Sequence, residues 1–218
     1  MFNGGERLIL NGKKTDYTVL QFWRITLSDI LLNMTRGSFA EFIVRCALDS
    51  GGFKCLDKSR TGIEPWDIDG PEIKENGVLR SSRIEVKSAS SIQYDTPDEK
   101  EPLSLPPGRI VFGIPKRRDF SKDNDEKQHN NDLYVFCHYT ATRKIDNMLD
   151  MKHWDFYVYP TFKIDNDIDS ILSNQKSISL ARINKIGIQK YSFSDLYEAI
   201  IRCLDEVADY YSQSSLRQ

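Results

Sequence analysis

The chain has no run of about eighteen apolar residues, so it offers no segment able to cross a bilayer as a helix. It also lacks the apolar core of a secretory signal, because Glu6 and Arg7 precede only Leu8-Ile9-Leu10. A cytoplasmic protein that does not enter membranes is expected. None of the 4 cysteines forms a C-x-x-C pair and the 3 histidines stand apart, which argues against a structural zinc site. Cys46, Cys137 and Cys203 lie in apolar runs, where a free thiol packs as a small hydrophobe. Neither sign of charge dominates: 30 basic and 32 acidic residues give a net charge of −2, so no global basic footprint announces nucleic-acid binding. Basic groups do gather locally, at Arg80 with Arg83 and at Lys116-Arg117-Arg118. Each group can serve phosphate contacts or simply solvate the surface.

With 39% apolar and 28% charged residues, the 218-residue chain can bury one sizeable core. The first 25 residues show no clear period. Ser28 is a candidate N-cap for a short helix through Met34, broken at Arg36-Gly37. Ser38 then caps a second helix that runs to about Asp49 and stops at Gly51-Gly52. That second helix is apolar on most sides, with a narrow polar strip of Ser38, Glu41 and Arg45, and should be largely buried. Strands are expected at residues 63–69 and 83–89 around an Asn76-Gly77 turn, with Pro71 demanding a bulge or an early end to the pairing. Residues 94–108 read as a surface loop, 109–115 as a strand, and 115–132 as a charged segment with little to bury. Further strands are expected at 133–139, 153–160 and 177–183. A terminal helix begins near Ser192, capped by Ser192 or Ser194. The order points to an α/β fold with a mixed central β-sheet flanked by α-helices. It forms one compact unit over residues 36–218, preceded by an extension, residues 1–35, that carries the short helix.

Chemistry concentrates in Trp66-Asp67-Ile68-Asp69-Gly70 and Arg83-Ile84-Glu85-Val86-Lys87-Ser88. Residues two apart on a strand share a face, so Glu85 and Lys87 project together while Ile84 and Val86 turn to the core. Asp67 joins them only in one register. A two-residue turn at Asn76-Gly77 sets Val86 opposite Asp67, whereas a three-residue loop or a bulge near Pro71 sets Glu85 there and Arg83 opposite Asp69. In that register two carboxylates offer hard oxygens to Mg²⁺, with the Val86 carbonyl as a further ligand; Mn²⁺ can substitute. A metal so held polarises a phosphoryl oxygen and activates water, with Lys87 orienting the water or neutralising charge on the phosphate. Glu41, on the buried-type helix, either reaches the metal or pairs with Arg45 one turn on.

A helical Glu followed by Asp and then Glu-x-Lys resembles the PD-(D/E)XK nuclease superfamily, to which many restriction endonucleases belong. The matching residues are Glu41, Asp67 and Glu85-Val86-Lys87; Pro65-Trp66 precedes Asp67, so the literal Pro-Asp pair is absent. The wider layout, from about residue 36 to 201, is similar to a group of bacterial proteins with this core. It is carried by 36–41, 84–89, 133–137 and 154–158. The resemblance implies a restriction endonuclease-like core with Asp67, rather than Asp69, at the site and Gln93 near the metal. It also implies hydrolysis of DNA phosphodiester bonds, an endonuclease role in restriction or phage defence, and a homodimer. Arg36, Arg83, Gln93, Lys116, Arg117 and Arg118 are the candidate DNA contacts. Two other readings stand beside it: a catalytically silent nuclease fold serving DNA binding or complex assembly, and a nuclease acting on RNA or branched substrates.

Overall fold

Two Asn-Gly pairs turn the chain back on itself. Asn11 and Gly12 have φ of 50° and 75°, and Asn76 and Gly77 have 49° and 85°. These are the left-handed values that a two-residue hairpin turn demands. The computed structural model describes residues 3–56, 65–93, 103–118, 127–143, 146–166 and 175–215.

The first turn joins β1 (Arg7–Leu10) to β2 (Lys13–Thr18), a hairpin that residues 1–25 conceal because its strands bury almost nothing and so show no alternation. Helix α1 (Val19–Thr26) follows, opened by a capping box between Thr18 and Gln21. The expected helix from Ser28 to Met34 is therefore corrected: one helix ends before Ser28, and α2 (Asn33–Ser50) begins after it. Arg36-Gly37 does not break α2. A mid-helix glycine costs only about 1 kcal/mol against alanine, and Ala40, Ile43, Val44, Ala47 and Leu48 bury the adjoining face. The stop at Gly51 is as expected.

Strands β3 (Ile68–Glu75) and β4 (Val78–Ser90) run up to the second Asn-Gly turn, beyond the expected bounds. Several of their extra residues, such as Glu72, Lys74 and Ser81, are polar and face solvent, which blurs the apolar alternation. Short ladders join β5 (Ile92–Gln93) to β6 (Leu103–Ser104), and β8 (Arg117–Arg118) to β9 (Lys127–Gln128). Strand β7 (Val111–Gly113) pairs with β12 (Ser177–Ser179). The remaining elements are β10 (Leu133–Tyr139), β11 (Trp154–Pro160), α3 (Thr161–Asp165), α4 (Leu180–Lys185), β13 (Lys190–Tyr191) and α5 (Phe193–Ser215). The strand expected at 177–183 turns into α4 after three residues because the Ser179 hydroxyl accepts from Arg182 N and caps a helix. Ser192 does not simply cap α5: its hydroxyl donates to Asp195 Oδ2 at 2.6 Å.

Five strands form the central sheet in the order β13-β11-β10-β4-β3, with β4 and β10 parallel and the other pairs antiparallel. It is thus a mixed sheet in an α/β fold. Leu133, Val135 and Cys137 of β10 face α2 and α5 in one apolar cluster. Tyr134 and Phe136 face the opposite way, into a second cluster with Phe112, Ile164, Ile178 and Ile183. Glu85 and Lys87 of β4 stand beside Tyr134 and Phe136 in register, so they point into this second layer. Among the described residues, no helix is long and apolar enough to cross a membrane.

Asp132 ties the layers together. Its buried carboxylate accepts from Arg80 Nη1 and Nη2 at 2.7 Å each, from Arg83 N at 2.8 Å and from Tyr211 Oη at 2.9 Å. Arg80 also pairs with Glu75, so hairpin, β10 and the end of α5 share one charged knot. Removing one side of such a buried pair strands the other charge. Asp132→Ala should cost about 3–5 kcal/mol in chemical denaturation, and a loss below about 1 kcal/mol would show that water re-solvates Arg80. Gly70 sits where an added Cβ would lie 2.5 Å from Ser82 Oγ and 2.7 Å from Ile84 Cδ1. Gly70→Ala should therefore cost about 1–3 kcal/mol by the same measurement.

Candidate metal centre

The register that the site needs is achieved, by an unusual combination. The turn at Asn76-Gly77 has two residues, as Glu75 pairs with Val78. Continued regularly, that pairing would bring Val86 opposite Asp67. Between Asp69–Arg83 and Glu72–Ser81, however, Gly70 and Pro71 face the single residue Ser82. This is a β-bulge, and it shifts every later pair by one. Ile68 then pairs with Ile84 and Asp69 with Arg83, leaving Asp67 one step further on, beside Glu85. Gly70 permits the bulge because no side chain has to fit against Ser82 and Ile84.

Asp67 holds its place by acting as a strand edge in miniature. Its N–H donates to Ile84 O at 3.1 Å and its Oδ2 accepts from Val86 N at 2.9 Å. Arg45 of α2 donates to Asp67 O at 2.9 Å and to Cys55 O at 3.2 Å. Glu41 lies one turn before Arg45, on the same side of α2. Asp69 is exposed and accepts from the Trp66 indole at 2.8 Å, while Arg83 lies 4.9 Å above the Trp66 ring. Trp66 thus forms a wall beside the acids, and Asp69 braces it.

Glu85 is 3% exposed, and its environment is divided. Oε1 meets Lys87 Nζ directly and Arg117 Nη2 at 3.6 Å. Oε2 is buried and, among the described residues, has no hydrogen-bond partner. Burial, and then the charge of Asp67, raise the Glu85 pKa above the ordinary 4.5, while Lys87 and Arg117 offset part of the rise. A buried carboxylate oxygen without a donor is costly, and a second carboxylate beside it adds repulsion that a cation would relieve. The Val86 carbonyl opens to the same side as its N–H, toward Asp67.

The donor set fits Mg²⁺ in part. Among the described residues, no three His, Cys, Asp or Glu side chains converge as a metal site. Mg²⁺ is commonly held by one or two carboxylates and several waters, so Asp67, Glu85 and the Val86 carbonyl meet that smaller demand.

The other candidates divide. The β8–β9 ladder, with Asn130 donating to Arg117 O at 3.2 Å, carries Arg117 to Glu85. Lys116 lies 3.9 Å from Asp165, and Arg118 is exposed. Gln93 closes β5, and Arg36 is buried in α2. The link between Arg117 and Glu85 has no signal in the sequence, since it spans 32 residues and depends on the pairing of β8 with β9. A second polar pair also went unforeseen: Ser91 Oγ lies 2.9 Å from His138 Nε2, with Asp155 opposite His138 on β11. Those residue types suggest a nucleophilic triad. Yet His138 Nδ1 has no partner, both side chains are buried, and burial first of all pushes the His138 pKa down to about 4. The pair works as a neutral hydrogen bond in the core.

A carboxyl whose pKa is raised by folding adds stability at low pH that is lost as pH climbs from its unfolded to its folded value. As pH rises above the ordinary carboxylate value of 4.5, wild type should lose melting temperature relative to Glu85→Gln, and MgCl₂ should restore it in wild type alone. Parallel pH profiles would mean that Glu85 ionises without penalty. An equal response to Mg²⁺ in both proteins would move the cation elsewhere.

No protein-family model, no curated protein and no solved structure matches the chain.

Proposed function

We propose that the protein is a Mg²⁺-dependent nuclease that hydrolyses DNA phosphodiester bonds. One observation carries the reading: the unpartnered, buried Oε2 of Glu85 beside Asp67, with the Lys87 amine on the same side of β4. Asp67, Glu85 and the Val86 carbonyl hold the ion, Mn²⁺ serving in place of Mg²⁺, and Glu41 reaches it through water. When bound, the ion polarises a phosphoryl oxygen and lowers the pKa of a coordinated water. Lys87 leaves Glu85 Oε1 to orient the attacking water and to neutralise charge growing on the phosphate. Arg117 adds a second cation at the same oxygen, and Arg83, stacked on Trp66, sits where the substrate backbone approaches.

The helical Glu41, Asp67 and Glu85-x-Lys87 pattern supports a restriction endonuclease-like core. That likeness extends the proposal to an endonuclease of restriction or phage-defence type, acting in the cytoplasm as a homodimer so that each copy cuts one strand. Lys116 and Arg118 then serve as peripheral phosphate contacts, and Gln93 stands near the metal.

One observation favours a second reading. Lys87 and Arg117 both close on Glu85 Oε1, as in a structural ion pair, which suits a silent nuclease fold used for DNA binding or assembly. Calorimetry separates the two, since a silent module binds neither Mg²⁺ nor Mn²⁺.

Incubated with Mg²⁺ or Mn²⁺, the wild type should nick supercoiled plasmid. Asp67→Ala, Glu85→Gln and Lys87→Ala should each lose about a hundredfold or more of that rate while remaining folded. Nicking that survives Asp67→Ala would sink the assignment of the metal. Cleavage of RNA or branched oligonucleotides with duplex DNA untouched would keep the chemistry and change the substrate.

A further inference from the structure

Beyond Asp67, no described strand pairs with β4 on the side that β3 occupied. Along that edge lies a cleft of about 400 Å³ between the start of α2 and the β7 layer. Its polar lining is Asn33 and Arg36 of α2, Ser88 and Ser90 of β4, and Arg109. Among the described residues, no carboxylate lines it.

Arg36 is the unusual member. It is 8% exposed and, among the described residues, has no carboxylate partner. Its Nη1 donates to Leu31 O at 3.1 Å and its Nη2 to Asn33 Oδ1 at 2.7 Å, while its Nε is buried with no partner. Burial alone lowers its pKa to about 10. A guanidinium removed from water with no anion beside it is a standing cost unless an anion arrives. Three further features favour an anion there. Helix α2 opens on the cleft with Leu32 at its N-cap and no side chain bonding its first N–H groups. Such an uncapped N-terminus attracts negative charge. Arg109 adds an exposed cation, and Ser88 adds a hydroxyl at the rim. Leu32, Ile92 and Leu105 supply an apolar wall, so the space suits more than a bare ion.

We propose that this cleft seats a phosphate group carried by a nucleotide, held by Arg36, Arg109, Ser88 and the first turn of α2. Ser88 stands three residues past Glu85 on one strand, roughly 10 Å away at about 3.3 Å per residue. Their side chains point to opposite faces of the sheet, so the seat and the metal centre meet around the open edge of β4. A strand whose scissile phosphate lies at Glu85 places a neighbouring nucleotide of the same strand in the cleft. That last step rests on the nuclease reading, whereas the phosphate seat itself does not.

The test is binding in EDTA, where no cleavage occurs. Full-length wild type, Arg36→Met, Arg109→Gln and Ser88→Ala are titrated with inorganic phosphate and with a short single-stranded oligonucleotide bearing a 5′-phosphate or a 5′-hydroxyl. Wild type should bind inorganic phosphate saturably and the oligonucleotides more tightly. Arg109→Gln should bind about tenfold more weakly, and Arg36→Met should lose saturable binding. A preference for the 5′-phosphate would assign the seat to a strand end, and equal affinity would assign it to an internal phosphate; both support the proposal. Oligonucleotides no tighter than inorganic phosphate would overturn the nucleotide assignment. Wild-type affinity retained in both arginine variants, or no saturable binding by wild type, would overturn the seat. Should Arg36→Met fail to fold, the exposed Arg109 and the rim hydroxyl of Ser88 still decide. Adding Asp67→Ala keeps the two ideas apart: it should abolish nicking yet bind phosphate like wild type.

Discussion

The site depends on one extra residue in β3. With the two-residue turn at Asn76-Gly77, regular pairing would put Asp67 and Glu85 on opposite faces of the sheet. The bulge at Gly70-Pro71 reverses that parity, and Pro71, which lacks an N–H to pair, is well suited to it. Asp67 is then fixed twice over, by its backbone N–H on Ile84 O and by its carboxylate, which accepts from Val86 N. Hydrogen bond and charge thus meet in one side chain. It ends the sheet edge and brings a second negative charge to Glu85.

The surroundings accept this arrangement at a local cost. Glu85 carries an unsatisfied oxygen, and Arg36 carries an unsatisfied donor. Both residues sit by the edge of β4 that β3 has vacated. Native cores leave few buried polar atoms unpaired; the others among the described residues are Ser82 Oγ, His138 Nδ1 and Arg182 Nε. The opposite end of the same hairpin is finished by contrast. There Asp132 accepts four hydrogen bonds from Arg80, Arg83 and Tyr211. A fully bonded anchor at one end lets the other remain strained without loss of register.

Much of this was legible in the residues. Leu133–Tyr139 and Trp154–Pro160 read as strands because they are rich in aromatic or β-branched residues, and α5 because its apolar residues recur at helical spacing. Glu85 and Lys87 were bound to share a face once β4 was a strand. The β1–β2 hairpin escaped because it buries nothing, although Asn11-Gly12 is the same turn signal as Asn76-Gly77. Residues 180–183 were read as strand because β-propensity cannot see the cap at Ser179.

Sequence by itself determined the local choices: two left-handed turns, the stop of α2 at Gly51, and the pairing of a carboxylate with an amine across Val86. These rest on backbone sterics and on a period of two, which act over a few residues. Only the tertiary structure decided the rest. It chose the bulge over a longer loop, turned Arg117 toward Glu85 through the β8–β9 ladder, and brought Arg36 of α2 against Ser88 and Ser90 of β4. Those contacts join residues tens of positions apart, and their energies come from burial and charge. Neither exists until the layers have closed.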